Sequence, residues 1–212
     1  KVDLVQGDRH EVRVEAPAGR VQRVRTRVDD GTLTITNRSG HVEIPLFGDG
    51  AHTASPRIVV TAPSIESIVV NGAVAFSAGR LDVPALRIAA SGAAKLRIDD
   101  LKAESLRLSG AGAVQVDVAG RVTEQSISLS GAGDYRAPRL LSETAKVSVA
   151  GAGRVVVHAE QSLRVNLSGA GNVFAIAEAR DLGVAVQREM AKRIAQRGMA
   201  VREAVNAQLH VD

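Results

Sequence analysis

The chain contains no cysteine and no tryptophan, and only four aromatic side chains: Phe47, Phe76, Tyr135 and Phe174. The first absence excludes a disulfide scaffold, a thiol nucleophile and any cysteine-ligated zinc or iron–sulfur site. The shortage of aromatics removes the stacking platforms on which single-stranded nucleic acids are held. No apolar run reaches the roughly eighteen residues that a membrane-spanning helix needs. Six prolines and twenty glycines in 212 residues are too few for a low-complexity chain, and the glycines are regularly placed. What is present is ordinary for a core-forming protein: 45% hydrophobic and 24% charged residues. The net charge is +4, and twenty-two of the twenty-seven basic residues are Arg. The 23 acidic residues are interspersed among them without a block of like charge, so the basic balance alone does not point to a nucleic-acid partner.

The informative feature is an internal repeat. Val70-Asn71-Gly72-Ala73-Val74 aligns without gaps with Ala90-Ser91-Gly92-Ala93-Ala94 and with Leu108-Ser109-Gly110-Ala111-Gly112. Leu129-Ser130-Gly131-Ala132-Gly133, Val149-Ala150-Gly151-Ala152-Gly153 and Leu167-Ser168-Gly169-Ala170-Gly171 complete the set. The leading glycines at 72, 92, 110, 131, 151 and 169 are separated by 20, 18, 21, 20 and 18 residues. A period near twenty belongs to solenoids. On both sides of each glycine pair the apolar residues alternate with period two, as in Leu106, Leu108, Gly110, Gly112, Val114, Val116 and Val118. That pattern describes a strand, a bend and a second strand. No helical pattern fits between residues 65 and 177, and leucine-rich-repeat spacing is absent. The expected architecture is an all-β solenoid with one coil per repeat, each rising about 4.8 Å. The structural turn ladder is expected at Gly72, Gly92, Gly110, Gly112, Gly131, Gly133, Gly151, Gly153, Gly169 and Gly171. On this parity the glycines face inward and the intervening Ser and Ala face outward.

The flanks differ from the repeats. Residues 1–63 are β-rich without a visible repeat, with a turn at Asp29-Asp30-Gly31, a strand from Thr32 to Thr36 and a Gly-rich loop from His41 to Ser55. They read as an N-terminal β cap on the stack, with coils of about twenty residues over 64–180 completing one domain, 1–180. From Asp181 the β pattern gives way to Val186, Met190, Ile194, Val201, Val205 and Leu209 at near-helical spacing, which predicts a short α-helical C-terminal tail over 181–212. Such a helix, from about Val184, would cover an apolar patch of Val156, Phe174 and Ile176.

The Ser-Gly-Ala-Gly ladder, the N-terminal Val-Gln-Gly-Asp segment and Asp29-Asp30-Gly31-Thr32-Leu33-Thr34-Ile35 together resemble the bacterial head GIN domain, a family of unknown function that carries an auto-transporter adhesin label. The resemblance covers roughly Val2 to Ala177. It implies a right-handed parallel β-helix of the pectate-lyase-like kind, and an exported protein of the periplasm, outer membrane or cell surface. The family continues with another β coil and a Gly-Ser-Gly turn, which Leu182 to Asp212 does not follow. A chain that starts at Lys1 rather than Met, with no signal region after it, fits a trimmed chain or a removed signal peptide.

Catalytic chemistry on a β-helix needs acidic residues stacked on one face, often with calcium. The two outward columns flanking the glycines read Lys95, Ala113, Asp134, Arg154, Asn172 and Arg87, Arg107, Ser128, Ser148, Asn166, and neither is acidic. Gly-x-Gly lacks the Gly-Lys-Ser ending and following helix of a phosphate loop, and Asp134 does not recur as in calcium nonapeptides. His10, His41, His52, His158 and His210 are dispersed. No catalytic residue, cofactor or metal site is therefore expected. A sugar-binding surface needs an exposed aromatic, and Tyr135 is the candidate. The expected function is a non-catalytic envelope or secreted module, adhesin-like in binding or structural in role, with a polysaccharide-acting enzyme as the alternative. Its partner surface is expected at Ser109, Ser130, Ser168 and Phe174, facing an envelope or surface partner or a second copy of the chain.

Overall fold

The computed structural model describes residues 1–16, 24–37, 56–176 and 183–185. The expected loop over 41–55 and the tail from 186 onward lie outside them. Within them every element is a β-strand. The repeat region comprises β6 (Ser67–Asn71), β7 (Ala75–Asp82), β8 (Ala85–Gly92), β9 (Lys95–Gly112), β10 (Gln115–Gly131), β11 (Asp134–Gly151), β12 (Arg154–His158), β13 (Ser162–Gly169) and β14 (Asn172–Ile176). All of their pairings are parallel, and each coil lies in register on the one before. The protein is a β-solenoid of about six coils.

Each coil has three faces. The first follows the glycine corner, as in Gln115–Val118 of β10. A β-bulge near Ala119 leads to a short second face, Gly120–Val122. The third face, Glu124–Gly131, runs to the next glycine corner.

The register corrects the sequence alignment in one place. Gly92 stands over Gly112, not Gly110, and Gly112 stands under Gly131. The corner ladder is Gly72, Gly92, Gly112, Gly131, Gly151 and Gly169, and all six have positive φ, between 88° and 124°. These residues are largely solvent-facing rather than inward. The carbonyls of the first four accept from the next coil: Ala113 N–H donates to Gly92 O (2.9 Å) and Ala132 N–H to Gly112 O (3.0 Å). A Cβ on Gly112 would lie 2.7 Å from Gly92 O, and one on Gly151 2.5 Å from Gly131 O. Glycine is required here both by φ and by the carbonyl beneath it.

Gly110 belongs instead to an inward column, Val70–Ala90–Gly110–Leu129–Val149–Leu167. Across the corner runs a second inward column, Val74, Ala94, Val114, Gly133, Gly153 and Gly171, and the two are matched in size. Gly110 faces Val114, whereas Leu129 faces Gly133 and Val149 faces Gly153. The Leu129 methyls fill the space that Cβ atoms on Gly110 and Gly133 would occupy, at 2.7 and 3.2 Å from those positions. Coil volume is conserved while the large residue changes sides. Further columns, such as Phe76–Leu96–Val116–Tyr135–Val155 and Ile68–Ile88–Leu108–Ile127–Val147, complete a continuous buried core.

At the N-terminal end, β1 (Val2–Gln6) lies parallel between β5 (Arg57–Ala62) and β7, with Val2 in register with both Ile58 and Phe76. β2 (Glu11–Glu15) finishes this edge antiparallel to β5. The expected cap is thus partly an extension of the first face rather than a separate layer. β3 (Val24–Asp29) and β4 (Thr32–Asn37) form a hairpin whose turn residues Asp30 and Gly31 both have positive φ, the geometry preferred by Asp-Gly. At the other end, β15 (Gly183–Ala185) adds a parallel rung to β13. This corrects two expectations: the β pattern does not stop at Asp181, and a helix cannot begin at Val184. The open edge of β13 offers unpaired backbone groups, and pairing with it overrides the weak helical pattern there.

β1 is fixed by its one acidic residue. Asp3 accepts from Ser77 Oγ, from Arg57 Nε (2.6 Å), and pairs with Lys1 Nζ (3.1 Å). Burial pushes its carboxyl up, but these three donors together outweigh burial and bring it from 3.8 down to about 2. A folded-state pKa below the unfolded one stabilises the fold above the unfolded value, and that contribution fades as pH falls from about 4 towards about 2. Melting temperature should therefore drop across this window, and Asp3→Asn should flatten that part of the profile while lowering the plateau at neutral pH.

The corrected register makes a second prediction. Gly112→Ala should cost about 2–4 kcal/mol, because the new Cβ meets a backbone carbonyl at positive φ. Gly110→Ala should cost less, about 1–2 kcal/mol, because it displaces only the flexible end of Leu129. Denaturant melts of the two variants in the opposite order would restore Gly110 to the corner.

Candidate functional site

The outward residues of the coils form the surface on which a solenoid acts, and the register sorts them into columns. On the first face, one column reads Ala75, Lys95, Gln115, Asp134, Arg154 and Asn172. Beside it stand Ser77, Arg97, Asp117, Arg136, Val156 and Phe174. Charges of opposite sign are interleaved and pair laterally: Arg97 with Asp99 (2.6 Å) and Arg136 with Asp134 (2.5 Å). The guanidinium of each is held more firmly protonated by its carboxylate partner. On the second face Lys102 pairs with Asp82 (3.0 Å) and Arg80 approaches Asp100 (3.8 Å).

The third face differs. Its columns read Ser67, Arg87, Arg107, Ser126, Lys146 and Arg164; then Val69, Ala89, Ser109, Ser128, Ser148 and Asn166; then Asn71, Ser91, Ala111, Ser130, Ala150 and Ser168. Four cations share the first of these; apart from Val69, Asn71 and Asn166 the other two are small or hydroxyl-bearing, and a fourth outward column, Ala85, Ser105, Glu124, Thr144 and Ser162, carries the carboxylate of Glu124. Lys146 is bound to Glu124 (2.7 Å), whose carboxyl is held below its usual range by that hydrogen bond and charge and, more weakly, by Arg107. Among the described residues, Arg87, Arg107 and Arg164 are in no ion pair.

This arrangement revises the expected surface. The Gly110 frame placed Ala113 where Gln115 stands, and Ser128, Ser148 and Asn166 where Ser126, Lys146 and Arg164 stand. The two-residue offset thus broke the basic column after Arg107. Ser130 and Ser168 share a column, with Ala150 between them. Ser109 lies in the neighbouring column of the same face. Phe174 is on the first face, across the glycine corner, so the four residues do not form one site. Phe174 and Ile176 are 47% and 43% exposed and adjoin Val156 on the last coils; the helix expected to cover them lies outside the described residues. The signal for the basic column was present as an apolar–basic–apolar tripeptide: Leu86-Arg87-Ile88, Leu106-Arg107-Leu108, Ala145-Lys146-Val147 and Leu163-Arg164-Val165.

Tyr135, the aromatic considered for sugar stacking, is fully buried. Its hydroxyl donates to Gln125 Oε1 (3.1 Å), and Gln125 Nε2 donates to Ser142 Oγ (2.7 Å) and to the His158 carbonyl (3.1 Å). Ser142 Oγ donates to the same carbonyl (2.6 Å). Burial raises the Tyr135 pKa far beyond its ordinary value, so it remains a donor. The network is internally satisfied and sits where the third-face repeat shortens to eighteen residues, from Gly151 to Gly169. Gln125 interrupts an apolar column, Leu86–Leu106–Gln125–Ala145–Leu163, and no propensity rule predicts it.

A family profile described as "Putative auto-transporter adhesin, head GIN domain" matches residues 1–179. The chain belongs to this family. Solved structures resemble this head GIN domain in fold. One, described as a "putative adhesin" from Bacteroides fragilis, is 18% identical, with a TM-score of 0.73 over 86% of this chain and 82% of that one. A "putative lipid binding protein" from Parabacteroides distasonis is 18% identical, with a TM-score of 0.67 over 87% and 83%. A "putative adhesin" from Parabacteroides merdae is 16% identical, with a TM-score of 0.62 over 88% and 83%. No curated protein matches the sequence. Among the described residues of the head GIN domain no helix is long and apolar enough to cross a membrane, and no three of His, Asp and Glu are grouped to hold a metal.

Gln125→Ala removes three hydrogen bonds and strands the Tyr135 hydroxyl in the core. It should cost about 2–4 kcal/mol in a denaturant melt, and Tyr135→Phe less, about 1–2 kcal/mol. Equal costs would mean that the network does not hinge on the glutamine.

Proposed function

We propose that this head GIN domain is a non-catalytic binding module of the bacterial cell envelope, exported to the periplasm or cell surface and acting through the outer faces of its solenoid. The observation that carries the reading is the chemistry of the third face: one column holds Arg87, Arg107, Lys146 and Arg164, of which only Lys146 is ion-paired among the described residues, beside columns rich in hydroxyl-bearing and small side chains. The hollow between Arg121, Leu141, Ser142, Glu143 and Glu160 encloses only about 40 Å³. Sites for small molecules typically enclose about 300–1,000 Å³, so recognition across a face suits this molecule better than capture in a cavity. The adhesin description of the family and of two similar structures supports the same direction.

Sedimentation of the purified protein with envelope fragments of a Gram-negative bacterium tests the reading. Binding should be saturable and leave the fragments unchanged, with no new reducing ends and no unsaturated uronates released. Turnover of the polymer would replace the module with the polysaccharide-acting enzyme.

A further inference from the structure

We infer that the third face is a strip for a linear acidic polysaccharide, lying along the solenoid axis with its carboxylates over Arg87, Arg107, Lys146 and Arg164. The inference rests on the binding-module reading and gives it a ligand class. The four cations occupy successive hydrogen-bonded rungs of one column, interrupted once by Ser126. At about 4.8 Å per rung, Arg87 and Arg164 are about 19 Å apart along the axis. All four side chains are exposed. Like charges stacked on adjacent strands destabilise a sheet; where Lys102 stands beside Arg121 on the second face, Asp82 is set against Lys102 from the other side. Here Arg87 and Arg107 stand directly next to each other. The acids near the column do not neutralise it: Glu124 is committed to Lys146, Glu66 adjoins Ser67 at one end, and Glu104 and Glu143 stand beyond Glu124 at the corner with the second face.

The chemistry of the flanking columns fits a sugar chain. Ser109, Ser128, Ser148 and Asn166, then Ser91, Ser130 and Ser168, give hydroxyl and amide groups that are short enough for a polymer backbone to approach the sheet. An extended saccharide advances by about one rung per sugar, so its repeat meets the repeat of the protein. Guanidinium groups match carboxylates in a forked geometry. A lipid bilayer is a poorer partner, because among the described residues of this face Val69 is the only large apolar side chain that could enter acyl chains. A single-stranded nucleic acid would need aromatic platforms, and among the described residues the face has none.

The test uses polygalacturonate as the probe, with neutral dextran, phosphatidylglycerol vesicles and a single-stranded oligonucleotide as comparators. The intact chain should bind polygalacturonate, gain melting temperature from it and bind more weakly as salt rises. Arg87→Gln/Arg107→Gln/Arg164→Gln should lose affinity about ten-fold or more, and should itself melt no lower than the parent. Arg80→Gln/Arg97→Gln/Arg136→Gln removes the same charge from the other faces and should keep the affinity. Equal losses in the two variants would overturn the inference in favour of net charge alone. So would tighter binding to the vesicles or the oligonucleotide than to polygalacturonate, or no binding to polygalacturonate. If polygalacturonate fails but envelope fragments still bind, the ligand class is wrong and the module reading stands. If neither binds, both fall.

Discussion

The structure depends on one contact repeated over the first four corners: the carbonyl of Gly72, Gly92, Gly112 and Gly131 accepting an N–H from the coil above. It keeps the parallel ladder unbroken through the sharpest bend of those coils. It also places an oxygen where a side chain would begin, so the corner admits only a residue without Cβ. From this follow the period of the sequence, the stacking of like positions, and the division of each coil into inward and outward columns. The crowding begins above the first corner and is tightest at Gly151. Gly72 has nothing stacked against its Cβ position, whereas each later corner glycine has the backbone of its predecessor there. Only φ constrains the first; both φ and contact constrain the others.

The interior satisfies a different condition, complementary size. In the coils beyond the second corner one large residue stands beside the bend, on either side of it. Gly110 and Val114, Leu129 and Gly133, and Val149 and Gly153 exchange bulk across it, whereas the first two corners are flanked by equal residues, Val70 with Val74 and Ala90 with Ala94. In coils that carry Leu129 or Val149, the second glycine of the motif is inward and makes room. In the coil that carries Val114, it is the first glycine that is inward. The string Gly-Ala-Gly therefore occurs in both arrangements with its corner at opposite ends.

That degeneracy decides how much could be read from the sequence. The solenoid, its period, the strand character of 64–176 and most core positions are legible, because alternation and glycine spacing are direct imprints of the ladder. The frame of one coil was not, since aligning Gly110 with Gly131 matches letters and mismatches geometry. In the interior the mismatch is slight, because bulk compensates across the corner, but on the surface it displaces the outward columns by two residues and disperses the cations of the third face. Aligning the apolar flanks of Arg87, Arg107, Lys146 and Arg164 would have recovered them. Other features leave no local trace. The Gln125 network depends on a carbonyl brought from His158, thirty-three residues away. Gly120, whose Cβ position collides with the backbone of Leu101, lies in no repeat motif and is required by the bulge beside it. β15 is fixed by an edge that only the assembled stack creates.

The position of β1 has a bearing on the order of assembly. The strand that opens the chain is enclosed between β5 and β7, and its anchor, Asp3, reaches Arg57 and Ser77 across 54 and 74 residues. Neither neighbour exists when Val2–Gln6 first emerges from a ribosome or a translocation pore. The coils, by contrast, close contacts at a separation of about twenty residues and incur little loop entropy for each added rung. Growth can run from the middle towards the C-terminal end while the first strand waits. Its insertion then locks the near edge of the sheet, so a segment made before both of its neighbours is among the last to find its place.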